Sequence, residues 1–516
     1  MFDELVSLVR RYALTPSIIE LANFSYFLER KQQVVLKMEF DDPGLLKRKT
    51  VVSQFALAFL SAQMTLRAND FRDKKMSYND ILLLCNRYNN LETKTEENPT
   101  ILSLLVRISQ EQIPFQEVGF YHFARGYYLI NDVSKREGYK NPLDLDRIFL
   151  EWCGLNIEDY YWIAWFINSI GFGKEPPVFN KEFFIKHSVK GLEHILTSVK
   201  LDKFLDINSA TIDKIKDENN QINAKIPIGF EKYQFNILSR YPIIRLGKTA
   251  SNFTDKSFLV TNSKLMMNKI VDGVYWGFRD LFLSKSNNQQ GFVNFWGEIF
   301  EKYVGEILIQ YYGQGKVSNL DDIGHKLGYP ISDWLVVTNE EIFVFECKSS
   351  LLPLSIKGVF DQSEFKEWCT EHLFDGVKQL ISTEKLVKEG KINLGITIEK
   401  KRIKKILVTY QNLYVTRHWE DLCKHICSEE KIQVDQDWHD NFYIMSVFEL
   451  ELFEKLSSRV SLGKILEDLR RLPEEDFLTI CKRYCGEKLT NSTLASVKDK
   501  FWSQLEGVTS TLKRSQ

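Results

Sequence analysis

The sequence predicts a multidomain chain: an α-helical N-terminal region, an α/β domain with a mixed sheet flanked by helices, and a helical C-terminal tail. Three observations carry this expectation. The 516 residues allow about three domains at ~150 residues each. Apolar residues recur at three- and four-residue spacing through roughly the first 200 positions. Beyond Gly291, helical patterns alternate with short apolar runs.

Taken in order, helices are expected over residues 2–12, 50–66, 78–88, 100–112 and 143–170. Asn141-Pro142 with Asp144, and Asn79-Asp80, supply start signals for two of them. Residues 1–225 thus read as a helical recognition or partner region. The Asp-, Lys-, Asn- and Ile-rich stretch 202–225 reads as its boundary. Residues 226–290 read as a connection, with β runs at 241–246 and 258–261 and a helix at 263–283. Within 291–455, helices are expected at 292–312 and 363–388. Strands are expected at 331–337, 341–349, 406–415 and 442–447. Residues 456–516 read as a helical, charged extension.

Composition narrows the function. Apolar residues at 44% and charged residues at 27% set aside disordered, collagen-like and coiled-coil chains. The 68 Lys+Arg nearly cancel the 69 Asp+Glu, so any nucleic-acid contact must come from a local patch. No run approaches the ~20 apolar residues of a bilayer span, so no membrane partner is expected. The first residues include Asp3 and no cleavable apolar stretch. With eight scattered Cys, this predicts a reducing cytoplasm.

The residues that carry chemistry lie between Gly297 and Ser350. Strand alternation puts Glu346 and Lys348 on one face with Ile342 and Val344, and Phe343, Phe345 and Cys347 on the other. Asp333 stands between Ile331 and Leu335 in an apolar run. Burying ionised groups costs several kcal/mol unless they are paired or metal-bound. Such oxygen ligands suit a hard divalent cation. On the preceding helix, Trp296, Ile299, Phe300, Tyr303 and Ile307 form the apolar face, with Glu301 at its border. Gly297 and Gly305 flank Glu301, each costing roughly 1 kcal/mol in a helix, which predicts close approach of another segment there.

Asp333, twelve intervening residues, and Glu346-Cys347-Lys348 together resemble the signature of the PD-(D/E)XK nuclease superfamily. The preceding GEIFEKYVGEIL resembles the helix that opens that fold. The first motif here reads Pro330-Ile331-Ser332-Asp333 rather than Pro-Asp. The resemblance covers roughly residues 291–453 and implies a restriction-endonuclease-like domain. It implies that Glu301, Asp333, Glu346 and the Cys347 carbonyl hold Mg²⁺, with Mn²⁺ as a substitute. Lys348 would orient the attacking water and steady the phosphate. Gln379 or Lys378, in the GVKQL stretch of the following helix, would touch the site. The implied activity is phosphodiester hydrolysis, in DNA rather than RNA, with a role in bacterial defence against foreign DNA. The alternative is an inactive nuclease fold that binds nucleic acid or assembles a complex. There is no GxxxxGK[ST] motif, so no ATP motor is expected in the chain.

Weaker signals have bland readings beside them. Cys423-x3-Cys427 and Cys481-x3-Cys485 could hold zinc, but small buried hydrophobes fit better. Lys400, Lys401, Arg402, Lys404 and Lys405 read as a phosphate contact or a solvated turn. The stretch 120–128, with His122 and Arg125, reads as an aromatic core helix rather than a base-stacking surface.

Overall fold

The computed structural model describes the chain apart from residues 32–34, 43–44, 92–103, 106–119, 171, 173–176, 187–192, 225, 227–228, 230, 248–256, 287–288, 322, 325–327, 353–361, 393–400, 415, 435, 457, 473–474, 487–490 and 515–516. The architecture is mixed: three sheets among many helices. Among the described residues, no helix is long and apolar enough to cross a membrane.

The N-terminal part is built from helices Phe2–Val9, Leu14–Arg30, Gln54–Arg67 and Tyr78–Asn89. Leu21, Leu57, Leu60 and Leu82 meet in their shared core. An antiparallel hairpin, β1 (Val35–Asp42) and β2 (Leu45–Ser53), interrupts them. The region is therefore not wholly helical. The helix expected from residue 50 starts at Gln54 because Ser53 ends β2 and caps the helix through the Ala56 N–H. The helix expected over 143–170 is two, Leu145–Cys153 and Ile157–Ile170. Gly154, at φ +71°, closes the first in a left-handed cap. The helix expected over 100–112 lies almost entirely outside the described residues.

A second sheet has the order β3 (Val178–Asn180), β6 (Ser257–Val260), β5 (Ile243–Leu246), β4 (Ser209–Thr211). It corrects the expected boundary at 225, because strands from both sides of that position pair. The 202–225 stretch is folded, with Phe204 and Ile215 fully buried on helices Ser198–Asn208 and Ile212–Ile222.

The third sheet has the order β11 (Phe442–Ser446), β10 (Arg402–Thr409), β9 (Glu341–Lys348), β8 (Trp334–Val337), β7 (Val317–Asn319). β7, β8 and β9 run antiparallel; β9, β10 and β11 run parallel. One face packs Phe343, Phe345, Ile406 and Val408 with Ile299, Phe300 and Tyr303 of helix Gln289–Tyr312. The other packs Ile342, Val344 and Leu407 with residues of helices Asp375–Lys388 and Thr416–Glu429. Burial on both faces explains the near-continuous apolar runs of β9 and β10.

The C-terminal residues are not a free extension. In helix Ser492–Arg514, Phe501 packs 4.2 Å from the ring centre of Trp162 and also against Phe123 and Tyr127. The 120–128 rings are thus core. Arg125 is buried in a two-point ion pair with Glu451, at 2.6 and 2.7 Å. Cys423 and Cys427 lie in one core and Cys481 in another, so the two pairs form no joint zinc site.

Candidate active site

Glu301, Asp333, Glu346, Lys348 and Gln379 come from three helices and strands and the bend before a fourth, and they converge at the Lys348 end of β9. Asp333 lies in the bend just ahead of β8 rather than within it. That bend is pinned on both sides. Ser332 N–H donates to Thr383 Oγ1 at 2.8 Å, Gln379 Nε2 donates to the Ile331 carbonyl at 3.2 Å, and Leu320 N–H donates to the Asp333 carbonyl at 2.9 Å. Asp333 Oδ2 accepts the Cys347 N–H at 2.7 Å, which locks the bend to β9.

On β9, Lys348 Nζ donates to Glu346 Oε1 at 2.7 Å and to Gln379 Oε1 at 3.0 Å. Glu346 is 1% exposed, and its Oε2 is buried with no hydrogen-bond partner among the described residues. Such an orphan costs free energy unless something outside the protein satisfies it. Gly376 makes the convergence possible. A Cβ there would stand 2.7 Å from Lys348 Cε and 3.0 Å from Glu346 Cγ. Lys378 turns away, to Asp375 at 3.6 Å.

The two helix glycines differ. A Cβ on Gly305 would meet the Trp334 ring at 2.1 Å, so this glycine admits the first residue of β8. Trp334 Nε1 then donates to the Glu301 carbonyl at 3.0 Å. Gly297 faces open space, with Ser349 Oγ as nearest neighbour at 3.9 Å from such a Cβ.

One carboxylate escaped the sequence reading. Oxygens of Glu301, Asp321 and Asp333 lie within 4.8 Å of one another, the one such group found among the described residues. Asp321 lies two residues beyond β7, at the start of a helical stretch, with its N–H held on Asn319 Oδ1 at 2.8 Å. Asn319 Nδ2 donates to Glu301 Oε1 at 3.1 Å. Lys140 Nζ reaches Asp321 Oδ2 at 3.0 Å. Nothing periodic marks Asp321; only its position at the end of a three-residue strand could have found it.

Crowding of acids raises their pKa values. Burial pushes Glu301 up to about 8, helped by the charges of Asp333 and Asp321. Burial raises Glu346 to about 7 against the pull of Lys348, with Glu301 and Asp321 adding to the rise. Burial and the Glu346 charge raise Asp333 well above the carboxylate range, opposed by the Cys347 N–H. Burial works to lower Lys348, but the Glu346 carboxylate outweighs it, so its ammonium is held on. Such perturbed groups, gathered in one place, mark candidate functional sites.

The basic cluster is elsewhere. Arg402 and Lys404 pair with Glu341 at 3.2 and 3.6 Å, Lys405 pairs with Glu384, and Lys401 donates to the Thr338 and Asn339 carbonyls. The phosphate-contact reading is corrected for these four residues; Lys400 lies outside the described residues.

No family model, no curated protein and no solved structure matches the chain.

Proposed function

We propose that this chain is a divalent-cation-dependent nuclease of the PD-(D/E)XK kind that hydrolyses phosphodiester bonds in DNA. The observation that carries the reading is that Glu301 and Asp333 share an acidic group with Asp321, while Asp333 is tied through the Cys347 N–H to the strand end where Lys348 meets the buried Glu346. The order of helix, three antiparallel strands, helix and two parallel strands supports a restriction-endonuclease-like core.

The donor set fits a hard cation. All the side-chain ligands offered are carboxylate oxygens; Glu346 lies outside the 4.8 Å group of Glu301, Asp321 and Asp333, and its buried Oε2 has no hydrogen-bond partner among the described residues. Glu301, Asp333 and Glu346 would hold Mg²⁺ or Mn²⁺, and the Cys347 carbonyl is proposed as a fourth ligand. When bound, such an ion lowers the pKa of water and offsets charge on a phosphate. Lys348, fixed by Glu346 and Gln379, presents an ammonium that orients the attacking water and faces the negative charge of the phosphate. Asp333, tied to the Cys347 N–H, keeps β8 and β9 in register at the site.

The test is incubation of purified protein with plasmid, linear DNA and RNA in Mg²⁺, Mn²⁺ or EDTA. Cleavage of DNA with either metal and none in EDTA is expected. Asp333→Ala and Lys348→Ala should each lose at least about a hundredfold in rate while circular dichroism stays unchanged. Equal cleavage by both variants, in preparations free of contaminating nuclease, would refute the site. Binding without cleavage under every condition would favour the inactive, assembly-type alternative.

A further inference from the structure

The carboxylate group does not belong to the sheet domain alone. The loop carrying Lys140 is fastened along helix Gln289–Tyr312. The Tyr139 ring packs edge-on to Phe295 at 5.0 Å, the Lys140 N–H donates to Glu298 Oε2 at 2.9 Å, and Lys302 Nζ stands 4.2 Å from the Tyr139 ring centre. This fastening delivers the Lys140 ammonium to Asp321, 181 residues downstream, at 3.0 Å. Lys140 is half exposed, so its charge can leave without unfolding anything.

The charges around the group do not cancel. Among the described residues, the ammonium groups paired with Glu301, Asp321, Asp333 or Glu346 are those of Lys348 and Lys140. With all four acids ionised, four carboxylates against two ammonium groups leave an excess that one divalent cation would neutralise. Independently of that cluster, Glu346 buries an oxygen that nothing satisfies. Its other oxygen accepts from Lys348, and the charges of Glu301 and Asp321 are near enough to raise the Glu346 carboxyl.

We infer that Asp321 is a ligand of the divalent cation and that Lys140, carried by the N-terminal region, competes with the cation for it. The inference rests on the metal reading proposed above and deepens it. It gives the N-terminal region a means of setting how readily the site loads: whatever moves the 137–141 loop changes the competition. A lysine is suited to this, as a point charge on a flexible stem that a divalent ion can displace.

The test measures ion binding directly, by Mn²⁺ titration of the full chain followed by electron paramagnetic resonance and calorimetry, with no nucleic acid present. Wild type should bind close to one Mn²⁺ per chain. Asp321→Asn should bind at least about tenfold more weakly. Lys140→Met keeps the stem and removes the charge, and should bind about two- to fivefold more tightly, the range an exposed ion pair supports. Thermal melts in EDTA confirm that each variant is folded. Wild-type affinity in Asp321→Asn, or an unchanged affinity in Lys140→Met, overturns the inference and leaves the nuclease reading standing. Failure of wild type to bind Mn²⁺ at all overturns both.

Discussion

Strands β9 and β10 carry buried charge at both ends, and the two ends are built differently. At the Glu341 end, Glu341 meets Arg402 and Lys404, Arg402 also meets Glu467 at 2.7 Å, and Glu384 meets Lys405 and Lys388. Every acid there has a cation beside it. At the Lys348 end, roughly 23 Å along the strands at about 3.3 Å per residue, acids outnumber ammonium groups; Glu346 Oε2 has no hydrogen-bond partner among the described residues, and Glu341 Oε1 has none at the other end but lies 3.2 and 3.6 Å from two cations. The residue types are the same. The difference is whether each acid has a cation beside it. A balanced buried cluster holds structure together, whereas an unbalanced one is stable only if something from outside completes it.

The sharpest way to break this comparison is to alter one residue at each end. Glu301→Gln removes an acid pressed against Asp333 and Asp321. It should lose at least about a hundredfold in cleavage yet melt higher than wild type at pH 8 in EDTA. Lys405→Met leaves the buried Glu384 carboxylate with Lys388 alone and should cost about 1–3 kcal/mol of stability, with the rate per folded molecule unchanged. Urea denaturation and plasmid cleavage on the same samples read both effects. Destabilisation at the Glu301 end, or lost catalysis at the Lys405 end, would erase the distinction.

A smaller effect is expected at Gly376. Gly376→Ala pushes a methyl against Lys348 Cε and Leu407 Cδ1, each 2.7 Å away. It should cost about 1–3 kcal/mol and lower the rate at least about tenfold by displacing the ammonium. A rate loss with unchanged pH profile and affinity for DNA would fit a displaced Lys348; no rate loss would show that the close fit is idle.

A further effect is on the pH dependence of stability. Glu301 and Glu346 rise from about 4.5 to about 8 and about 7 on folding, through burial first and neighbouring acids second. In that window the folded chain holds protons that the unfolded chain has released. Stability of the metal-free protein should therefore fall as pH rises from about 4.5 to about 8. Glu420 and Glu449, both raised to about 7 by burial, add to the slope. Saturating Mg²⁺ should remove only the part owed to the site. Melting temperature against pH, with Mg²⁺ and with EDTA, separates the two; a slope indifferent to the ion would count against a cation at these carboxylates.

Some of this was legible in the chain and some was not. Asp333, Glu346 and Lys348 could be read because acids and a lysine in apolar strand patterns are costly, and a hairpin-length connection brings the two segments together. Glu301 could be read because two glycines beside it broke a strong helical pattern, and at Gly305 the approaching group is Trp334. The basic run at 401–405 was misleading. Its residues look solvated in sequence, but Lys404 and Lys405 are 2% and 1% exposed because β10 lies inside the sheet with acids waiting on neighbouring elements. In the small second sheet the runs at 241–246 and 258–261 correspond to β5 and β6, but β3 and β4 went unread because strands of three residues are too short for an alternation signal, which also hid the continuity of the chain across residue 225.

By itself the sequence determined the local patterns: long helices, the apolar strand β9, the apolar half of β10 from Ile406, and the costly charges set in β9 and beside β8. These follow from periodicity and burial cost, which act over a few residues. Only the tertiary structure decided which acids have a cation beside them. Asp321 joins the group from just beyond a short edge strand, Lys140 arrives from 181 residues upstream, and Gly376 lets a helix press close enough to seat Lys348. Electrostatic balance depends on distances between segments far apart along the chain, and those distances exist only once the sheet and its helices have packed.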